Sequence, residues 1–549
     1  MALGFLAVLC LLLAASAHAY IPRVGKSLNT KRSVNQDSPF PVYNISVPVD
    51  HFFNESKYEP HTDETFELRY WFNPAHYEPG GPVIVILAGE TSGEDRIPFI
   101  QDGIGNILAE ATNGLSVVLE HRYYGESMPT RNLSTESLRF LTTQQALADT
   151  AFFARNAVFD GFEDQNLTAP NAPWILYGGS YAGGFAAFSR VLYPDLYWGA
   201  ISSSGVTEAI VDFWSFYEAM RLYGPKKCIS TDQKLVNVLD NIMIGRNDSG
   251  LTRKLKGLFG VAELSHDSDF AWLIANGIAA WESLFWDPRV NDPAFFEFCG
   301  NITAGRLLYP ETAKMKNTAA ELIELGGWGN ELSTLTTSLL NLVGWVNLTE
   351  VSPCTQSGQT VEQCFGQFNV TFYEQDDISQ TWRAWPYQTC TQWGYWQVGS
   401  TAPKEMLPLV SRTIDIPSQT FLCKAAFGID TEPDVDEINQ YGGFDIEAER
   451  LAFIGGEWDS WRWASTQAPN ARQRPDTLDK PVFVIPDAVH HWDEYGRNLD
   501  EIRPGQPPLR VIHAQLKEVA FVRAWLAGES QHTLYSPRKQ LDVEESSVV

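Results

Sequence analysis

Ser180 lies where an apolar run gives way to a cluster of small residues, in the stretch PWILYGGSYAGGFAAF. The run WILY is typical of a buried strand, and AGGFAAFSRVLY has the pattern of a helix. Small residues at 178, 179, 182 and 183 let the backbone turn sharply between the two without Cβ clashes. Such a turn can present a serine hydroxyl for attack on a carbonyl carbon, although a glycine-rich turn can also hold a serine that does no chemistry. The pattern Gly-x-Ser-x-Gly ends here in Ala182, which is still small, and we predict that Ser180 is a nucleophile.

Candidate partners for this serine follow two strand-like runs late in the chain. The stretch LAFIGGEWD contributes Glu457 and Asp459, and PVFVIPDAVHH contributes His490 and His491. In an α/β-hydrolase the acid and then the base follow the serine in chain order, at the ends of later strands. If the strands are parallel, these side chains meet Ser180 at one edge of the sheet. The residues alone leave both carboxylates and both histidines open as acid and base.

Strand-like and helix-like segments alternate in two separate parts of the chain. Between residues 82 and 204 the runs PVIVILAGE, LSVVLEHRYYGES, PWILYGGS and YWGAISSSG are separated by helical patterns, which is typical of a parallel sheet with crossover helices. The alternation lapses from about 212 to 430, then resumes and closes on the helical pattern RVIHAQLKEVAFVRAWL. We therefore predict an α/β-hydrolase fold interrupted by a long, mainly helical, disulfide-containing cap. The predicted parts are a signal peptide (1–19), an N-terminal segment (20–44), the first part of the core (45–211), the cap (212–430), the second part of the core (431–530) and a polar tail (531–549).

Composition narrows the range of partners. The 549-residue chain is 44% hydrophobic, enough to bury a large core, and its 40 Lys and Arg against 67 Asp and Glu give a net charge of −27. Such a surface repels phosphate backbones and anionic lipid headgroups, so we expect neither nucleic acid nor a membrane as partner. The pattern calls for no metal and no organic cofactor, and a homodimer stays open.

The start of the chain indicates export. Its first nineteen residues are an apolar run that closes on AHA, the small-x-small pattern that signal peptidase cuts. No positive side chain precedes the run, and a membrane anchor is the alternative. A dibasic pair, Lys31-Arg32, follows in a polar segment where a processing protease could remove residues 20–32. We expect a secreted chain, with a vacuole-like or lysosome-like compartment as the alternative.

Cysteines and sequons agree with export. Removal of the signal leaves six cysteines, an even number that indicates three disulfides. Our hypothesis pairs neighbours along the chain: Cys228 with Cys299, Cys354 with Cys364, and Cys390 with Cys423. Eight Asn-x-Ser/Thr sequons predict glycosylation, mostly on exposed loops. They stand at Asn44, Asn54, Asn132, Asn166, Asn247, Asn301, Asn347 and Asn369.

Four motifs in order, LEHRYYGES, GGSYAGG, GGEWDSW and AVHHWD, resemble the serine peptidase family that contains Pro-Xaa carboxypeptidase, dipeptidyl peptidase II, fungal prolyl endopeptidases and fungal-type extracellular serine carboxypeptidases. The resemblance covers residues from about 45 to 530. It implies that Ser180 is the nucleophile, Asp459 the acid and His490 the base. Ser460 stands where the family usually has proline after the acid. Glu457 remains the alternative acid, and His491 either orients the site or is structural.

The oxyanion of an acyl-transfer reaction needs preorganised donors. One is expected to be the backbone N–H of Tyr181, the residue after the nucleophile. For the second we expect the loop at Gly89, and the family also suggests the Tyr123-Tyr124 stretch.

Several other residues are candidates for substrate binding. We expect Trp461 and Trp492, which stand beside the acid and the base, to form walls of a proline pocket. Glu90 or Glu94, which follow the first long strand-like run, could bind a terminal ammonium group. Arg122 is expected to be a buried structural charge, paired with a carboxylate close in sequence such as Glu120 or Glu126.

These features predict a serine carboxypeptidase that releases C-terminal residues from proline-containing peptides through an acyl-enzyme. A cap over the cleft favours short or unfolded peptides as substrates. Alternatives within the family are a prolyl endopeptidase and a dipeptidyl peptidase. Alternatives outside it are a lipase or carboxylesterase, and a non-catalytic binding protein with a hydrolase fold.

Overall fold

The computed structural model describes residues 38–497 and 503–528. Its strands are β1 (Tyr43–Pro48), β2 (Thr65–Asn73), β3 (Val83–Leu87), β4 (Leu115–Leu119), β5 (Trp174–Gly179), β6 (Gly199–Ser203), β7 (Ile210–Asp212), β8 (Gly394–Trp396), β9 (Leu451–Gly456) and β10 (Val482–Ile485). An eight-stranded mixed sheet has the order β1-β2-β4-β3-β5-β6-β9-β10. Strand β2 pairs antiparallel with β1 and β4, and all other neighbours in this sheet pair parallel. A second, two-stranded sheet joins β7 and β8.

Helices cover the sheet, as the apolar character of its central strands requires. Strands β3 and β4 have the sequences VIVIL and LSVVL with every residue buried, and only the last residue of β5 is not. Continuous apolar runs of this kind belong to parallel strands with both faces covered. The core helices are α1 (Ile97–Gln101), α2 (Ile104–Thr112), α3 (Thr135–Leu138), α4 (Thr143–Asn156), α5 (Tyr181–Leu192) and α19 (Leu509–Ala527). The α/β-hydrolase fold predicted from the sequence is confirmed.

The remaining α-helices lie between β6 and β9. They are α6 (Glu218–Tyr223), α7 (Lys226–Asp240), α8 (Ser249–Leu258), α9 (Asp267–Ala279), α10 (Ala294–Ile302), α11 (Lys316–Leu325), α12 (Leu332–Val346), α13 (Ser352–Gln356), α14 (Val361–Phe365), α15 (Val370–Tyr373), α16 (Ala384–Gln388), α17 (Ile416–Phe427) and α18 (Asp436–Asn439). Three disulfides join parts of this region and pair neighbouring cysteines along the chain as predicted: Cys228–Cys299, Cys354–Cys364 and Cys390–Cys423.

The cap contacts the loops that follow the late core strands. The indole N–H of Trp281 donates to the carbonyl of Trp458 at 2.8 Å, and that of Trp286 donates to the carbonyl of Trp492 at 2.9 Å. Loops that carry candidate catalytic residues are therefore held by the cap as well as by the sheet.

The described residues include all eight predicted glycosylation sequons. Six sequon asparagines are exposed, whereas Asn301 and Asn347 are half-buried and their side-chain amides donate to helix carbonyls. Among the described residues, no helix has both the length and the apolar character needed to cross a membrane. The predicted signal peptide, the Lys31-Arg32 pair and the polar tail lie outside the described residues.

Candidate active site

Ser180 occupies a sharp turn between β5 and α5, with φ 58° and ψ −126°. Neighbouring positions have no room for larger side chains: a Cβ on Gly178 would lie 2.0 Å from the carbonyl oxygen of Ala182, and one on Gly183 would lie 2.7 Å from Cα of Gly205. A backbone conformation this uncommon for a non-glycine residue persists because the surroundings fix it. The turn therefore has the geometry of a nucleophile elbow.

Asp459 and His490 come together at the same edge of the sheet. Asp459 follows β9 and His490 follows β10, and the ring Nδ1 donates to Asp459 Oδ2 at 2.9 Å. The other oxygen of Asp459 accepts the backbone N–H of Trp461 at 2.8 Å. Glu457 instead accepts the backbone N–H of Asp487. Asp459 is thus the carboxylate that orients the histidine ring.

The second ring nitrogen of His490 is available for proton transfer. Its Nε2 is buried and has no hydrogen-bond partner among the described residues. No hydrogen bond to Ser180 is formed in this state, and such bonds often tighten only when substrate is present. Burial lowers the pKa of His490, although the charge of Asp459 opposes this. A neutral ring with Nδ1 protonated leaves a lone pair on Nε2.

His491 has different partners. Its ring contacts Glu494 at 3.0 Å, and its backbone N–H donates to Ser204 Oγ at 2.9 Å. Burial disfavours the charged form of His491, but Glu494, through its charge and hydrogen bond, outweighs burial and raises the pKa.

Asp493 fixes the His490 loop beside the elbow. It accepts hydrogen bonds from Tyr177 in β5 at 2.6 Å and from Ser203 in β6 at 2.7 Å. The backbone N–H of Ser180 in turn donates to the carbonyl of Ser203 at 2.9 Å. The loop and the elbow therefore share the ends of two adjacent strands.

The predicted oxyanion donors are adjacent. Tyr181 is the first residue of α5, so its N–H is one of those that a helix leaves without an internal partner. Gly89 has φ 69°, and a Cβ there would lie 3.1 Å from Cβ of Ala182 and 3.8 Å from the Tyr181 ring. A glycine at 89 thus accommodates the alanine that replaces the last motif glycine. The hydroxyls of Tyr123 and Tyr124 donate elsewhere, to Ser137 O and to a cap side chain.

Glu90 follows Gly89 and lies near enough to His491 for the charge of that ring to affect its pKa. Its Oε2 is buried without a hydrogen-bond partner among the described residues. Burial raises its pKa, while the charges of Arg96 and His491 oppose that shift.

The two candidate pocket tryptophans have different surroundings. Trp461 lies 6.4 Å from the His490 ring between centroids and packs against Phe213, Phe216 and Tyr395 at 5.7, 5.3 and 5.2 Å.

Trp492 packs against Phe285 of the cap at 5.9 Å and lies under the Arg510 guanidinium. Trp461 thus borders His490, and Trp492 joins the cap to the core.

Two contacts were not predicted from the sequence: the carboxylate partner of Arg122 and the position of Glu282 near Asp459. Arg122 is buried and paired, but its carboxylate partner is Asp149, at 2.5 and 2.6 Å, and the carboxylates close in sequence bind Arg69. The cap residue Glu282 is buried beside Asp459, and burial together with the charge of that aspartate raises its pKa. No local sequence pattern predicts that Asp149 pairs with Arg122 or that Glu282 lies near Asp459, because each contact joins segments that are distant in the chain.

The chain resembles known proteins over most of its length. The family model described as serine carboxypeptidase S28 matches residues 48–269 and 335–502. The chain is 50% identical over 495 residues to a probable extracellular serine carboxypeptidase of Arthroderma benhamiae, covering 90% of this chain and 69% of that protein. It is 28% identical over 452 residues to the serine protease vicPa of Bipolaris victoriae, covering 79% and 82%. The crystal structure of a probable hydrolytic enzyme of Pseudomonas aeruginosa matches at 12% identity and a TM-score of 0.30 over 88% of this chain and 95% of that one.

The fold and the sequence matches together define a serine-type peptidase of the α/β-hydrolase class. The chain belongs to the serine carboxypeptidase S28 family. The Arthroderma benhamiae relative, identical at half of the 495 aligned positions, is described as extracellular.

Proposed function

We propose that the protein is a serine carboxypeptidase in which Ser180, His490 and Asp459 form the catalytic triad. The observation that carries the proposal is the 2.9 Å hydrogen bond between His490 Nδ1 and Asp459, at the sheet edge where β5 presents Ser180. This bond holds the ring in the tautomer whose Nε2 can accept a proton.

The reaction then follows from the positions of these groups. As the hydroxyl oxygen of Ser180 bonds to the peptide carbonyl carbon, the hydroxyl proton moves to His490 Nε2. The N–H groups of Tyr181 and Gly89 stabilise the negative charge on the carbonyl oxygen, each worth about 3 kcal/mol. His490 returns the proton to the leaving amine, and a water molecule activated by the same ring releases the acyl group.

Proline-containing peptides are the substrates that we propose. The aromatic side chains around Trp461 supply a flat, apolar wall next to the base, which suits a pyrrolidine ring. The contacts of the cap with the loops of the acid and the base favour short or unfolded chains. The position of helices α6 to α17 between β6 and β9 supports the proposed division into core (45–211 and 431–530) and cap (212–430).

A dipeptidyl peptidase is the second candidate function, because Glu90 has a buried carboxylate oxygen without a partner among the described residues. A carboxylate in that state would bind the ammonium group of a substrate N-terminus.

Blocking each end of one proline-containing peptide separates these functions. A carboxypeptidase loses activity when the C-terminus is amidated and keeps it when the N-terminus is acetylated. The reverse result would establish a dipeptidyl peptidase, and indifference to both blocks an endopeptidase. Ser180→Ala is the control, since any turnover that it retains does not come from this site.

A further inference from the structure

The hydroxyl of Tyr181 sits in a chain of buried hydrogen bonds. Its oxygen lies 2.9 Å from Nε2 of Gln388 and 3.0 Å from Nε2 of His121. The chain continues from Gln388 Oε1 to the hydroxyl of Tyr124 at 2.5 Å, and from His121 Nδ1 to the carbonyl of Arg122 at 2.7 Å. The four side chains are at most 7% exposed.

The direction of each bond follows from the chemistry of its ends. A carbonyl oxygen only accepts, so Nδ1 of His121 carries the proton. Burial lowers the pKa of His121 to about 4, and the neutral ring therefore accepts at Nε2. Tyr181 donates its hydroxyl proton to that nitrogen and accepts from the amide of Gln388. Tyr124 then donates to Gln388 Oε1, so that every polar side-chain atom of these four residues has a partner.

The anchors of Tyr181 come from different parts of the molecule. His121 follows β4 in the core, whereas Gln388 ends α16 in the cap. The Tyr181 ring also packs against two cap tryptophans, Trp385 at 5.4 Å and Trp393 at 5.2 Å. A side chain held at its hydroxyl and on its ring leaves little freedom to the backbone that carries it.

We propose that His121, Tyr124, Tyr181 and Gln388 form a positioning network that fixes the oxyanion-binding N–H of Tyr181 and makes transition-state stabilisation depend on the cap. The inference rests on the proposed role of Ser180 and Tyr181. Its physical basis is that a hydrogen-bond donor lowers a reaction barrier only when it is held where charge develops, without reorganisation. Tyr124, Gln388 and His121 touch no reacting atom and act through Tyr181.

The first test is Tyr181→Phe, which keeps the ring and the backbone N–H and removes only the hydroxyl. We expect kcat to fall about tenfold with KM changed by less than about twofold, because the donor acts in the transition state and not on bound substrate. A peptide boronic acid, which forms a tetrahedral adduct with the active-site serine, should bind about tenfold more weakly. Tyr197→Phe is the matched control, since that buried hydroxyl has no hydrogen-bond partner among the described residues.

The second test uses the two anchors. Gln388→Leu should lower kcat to a similar extent, and the double variant with Tyr181→Phe should be no worse than either single variant, because both break one network. His121→Gln, which can still offer an acceptor near the former Nε2, should retain more kcat than His121→Leu.

Three results would overturn the inference: an unchanged kcat in Tyr181→Phe, additive losses in the double variant, or a loss confined to melting temperature. Failure of the proposed function looks different. In that case the wild-type protein itself would show no reaction of Ser180 with a serine-directed phosphonate.

Discussion

Glu282 of the cap lies against Asp459, the carboxylate that holds the His490 ring in the core. Glu282 is 4% exposed, and hydrogen bonding with Ser460 only partly opposes the rise in its pKa that burial causes. The indole of the preceding Trp281 donates to the carbonyl of Trp458 and fixes the cap at this point. Burial, and then the charge of Asp459, raise the pKa of Glu282 to about 8, so the folded protein retains a proton on Glu282 near neutral pH.

Glu282→Gln should therefore change the pH dependence of stability. Above about pH 4.5 the unfolded chain loses this proton while the folded protein keeps it, so the free energy of unfolding falls as the pH rises toward the raised pKa. We expect equal melting temperatures for variant and wild type near about pH 4, and a variant about 2 °C more stable near about pH 7. Glu405→Gln, at an exposed position of the cap, is the control. A difference that does not vary with pH would contradict this account.

The free energy of unfolding of the whole protein should be largest at mildly acidic pH. Burial raises the pKa of several other carboxyl groups, and each adds to the loss of stability as the pH rises: Asp232, Asp240, Asp269, Asp493 and Glu518. Asp149 has the opposite sign. Although Asp149 is buried, its pairing with Arg122 and His51 lowers its pKa, and the stability that it provides is lost only in stronger acid. The lowered pKa values of His121 and His490 also oppose the trend, because they cost stability as the pH falls below 6.5, but the carboxyl groups with raised pKa values outnumber these two rings. Thermal melting from about pH 3 to 8 should give a maximum near about pH 4 to 5, and a maximum above about pH 7 would refute the prediction.

The acid limb of activity should lie below the ordinary pKa of histidine. His490 must be neutral to accept the serine proton, and burial lowers its pKa from 6.5. The value of kcat/KM should thus fall only as the pH drops through this lowered pKa, because protonation fills the lone pair on Nε2. A profile of kcat/KM against pH on a short proline-containing peptide gives the midpoint. A midpoint above 6.5 would assign the limb to another group.

The two adjacent histidines should differ sharply in their contribution. His490→Ala is expected to lower kcat by about 10⁴-fold or more, and to add little to the loss in Ser180→Ala, since members of a triad act as a unit. His491→Ala removes the ring contacts to Glu494 and to the His490 ring, 4.5 Å away between centroids, but leaves the proposed triad in place, so it should retain measurable turnover. Steady-state kinetics with circular dichroism to verify folding would check this. An active His490→Ala and an inactive His491→Ala would move the base by one position.

The sequence predicted the parts of the fold and the candidate site that depend on local pattern. Ser180, Asp459 and His490 each follow a continuous apolar strand, so their meeting at one sheet edge could be foreseen once the strands were taken as parallel. The closing helix was also recognised, because its apolar residues recur at helical spacing over α19, Leu509–Ala527.

Other parts depend on contacts between distant segments. Strands β1 and β2 precede the predicted alternation. Strand β1 lies at the sheet edge, and exposed residues alternate there with half-buried ones over only six positions, of which one is fully buried. Arg122 was correctly expected to be buried, but Asp149 reaches it from helix α4, which no spacing rule in the sequence indicates. The position of Glu282 could not be predicted either, because most of the cap separates it in sequence from its neighbour Asp459.

Reaction with a fluorophosphonate probe, followed by peptide mapping, tests most directly whether Ser180 is the activated nucleophile of this peptidase. The account predicts one modified residue, Ser180, in the folded wild-type protein. It also predicts no modification in Ser180→Ala and a reaction slowed at least about 10³-fold in His490→Ala, because the base that activates the hydroxyl is gone. Absence of labelling in correctly folded protein, or labelling of a different serine, would contradict it.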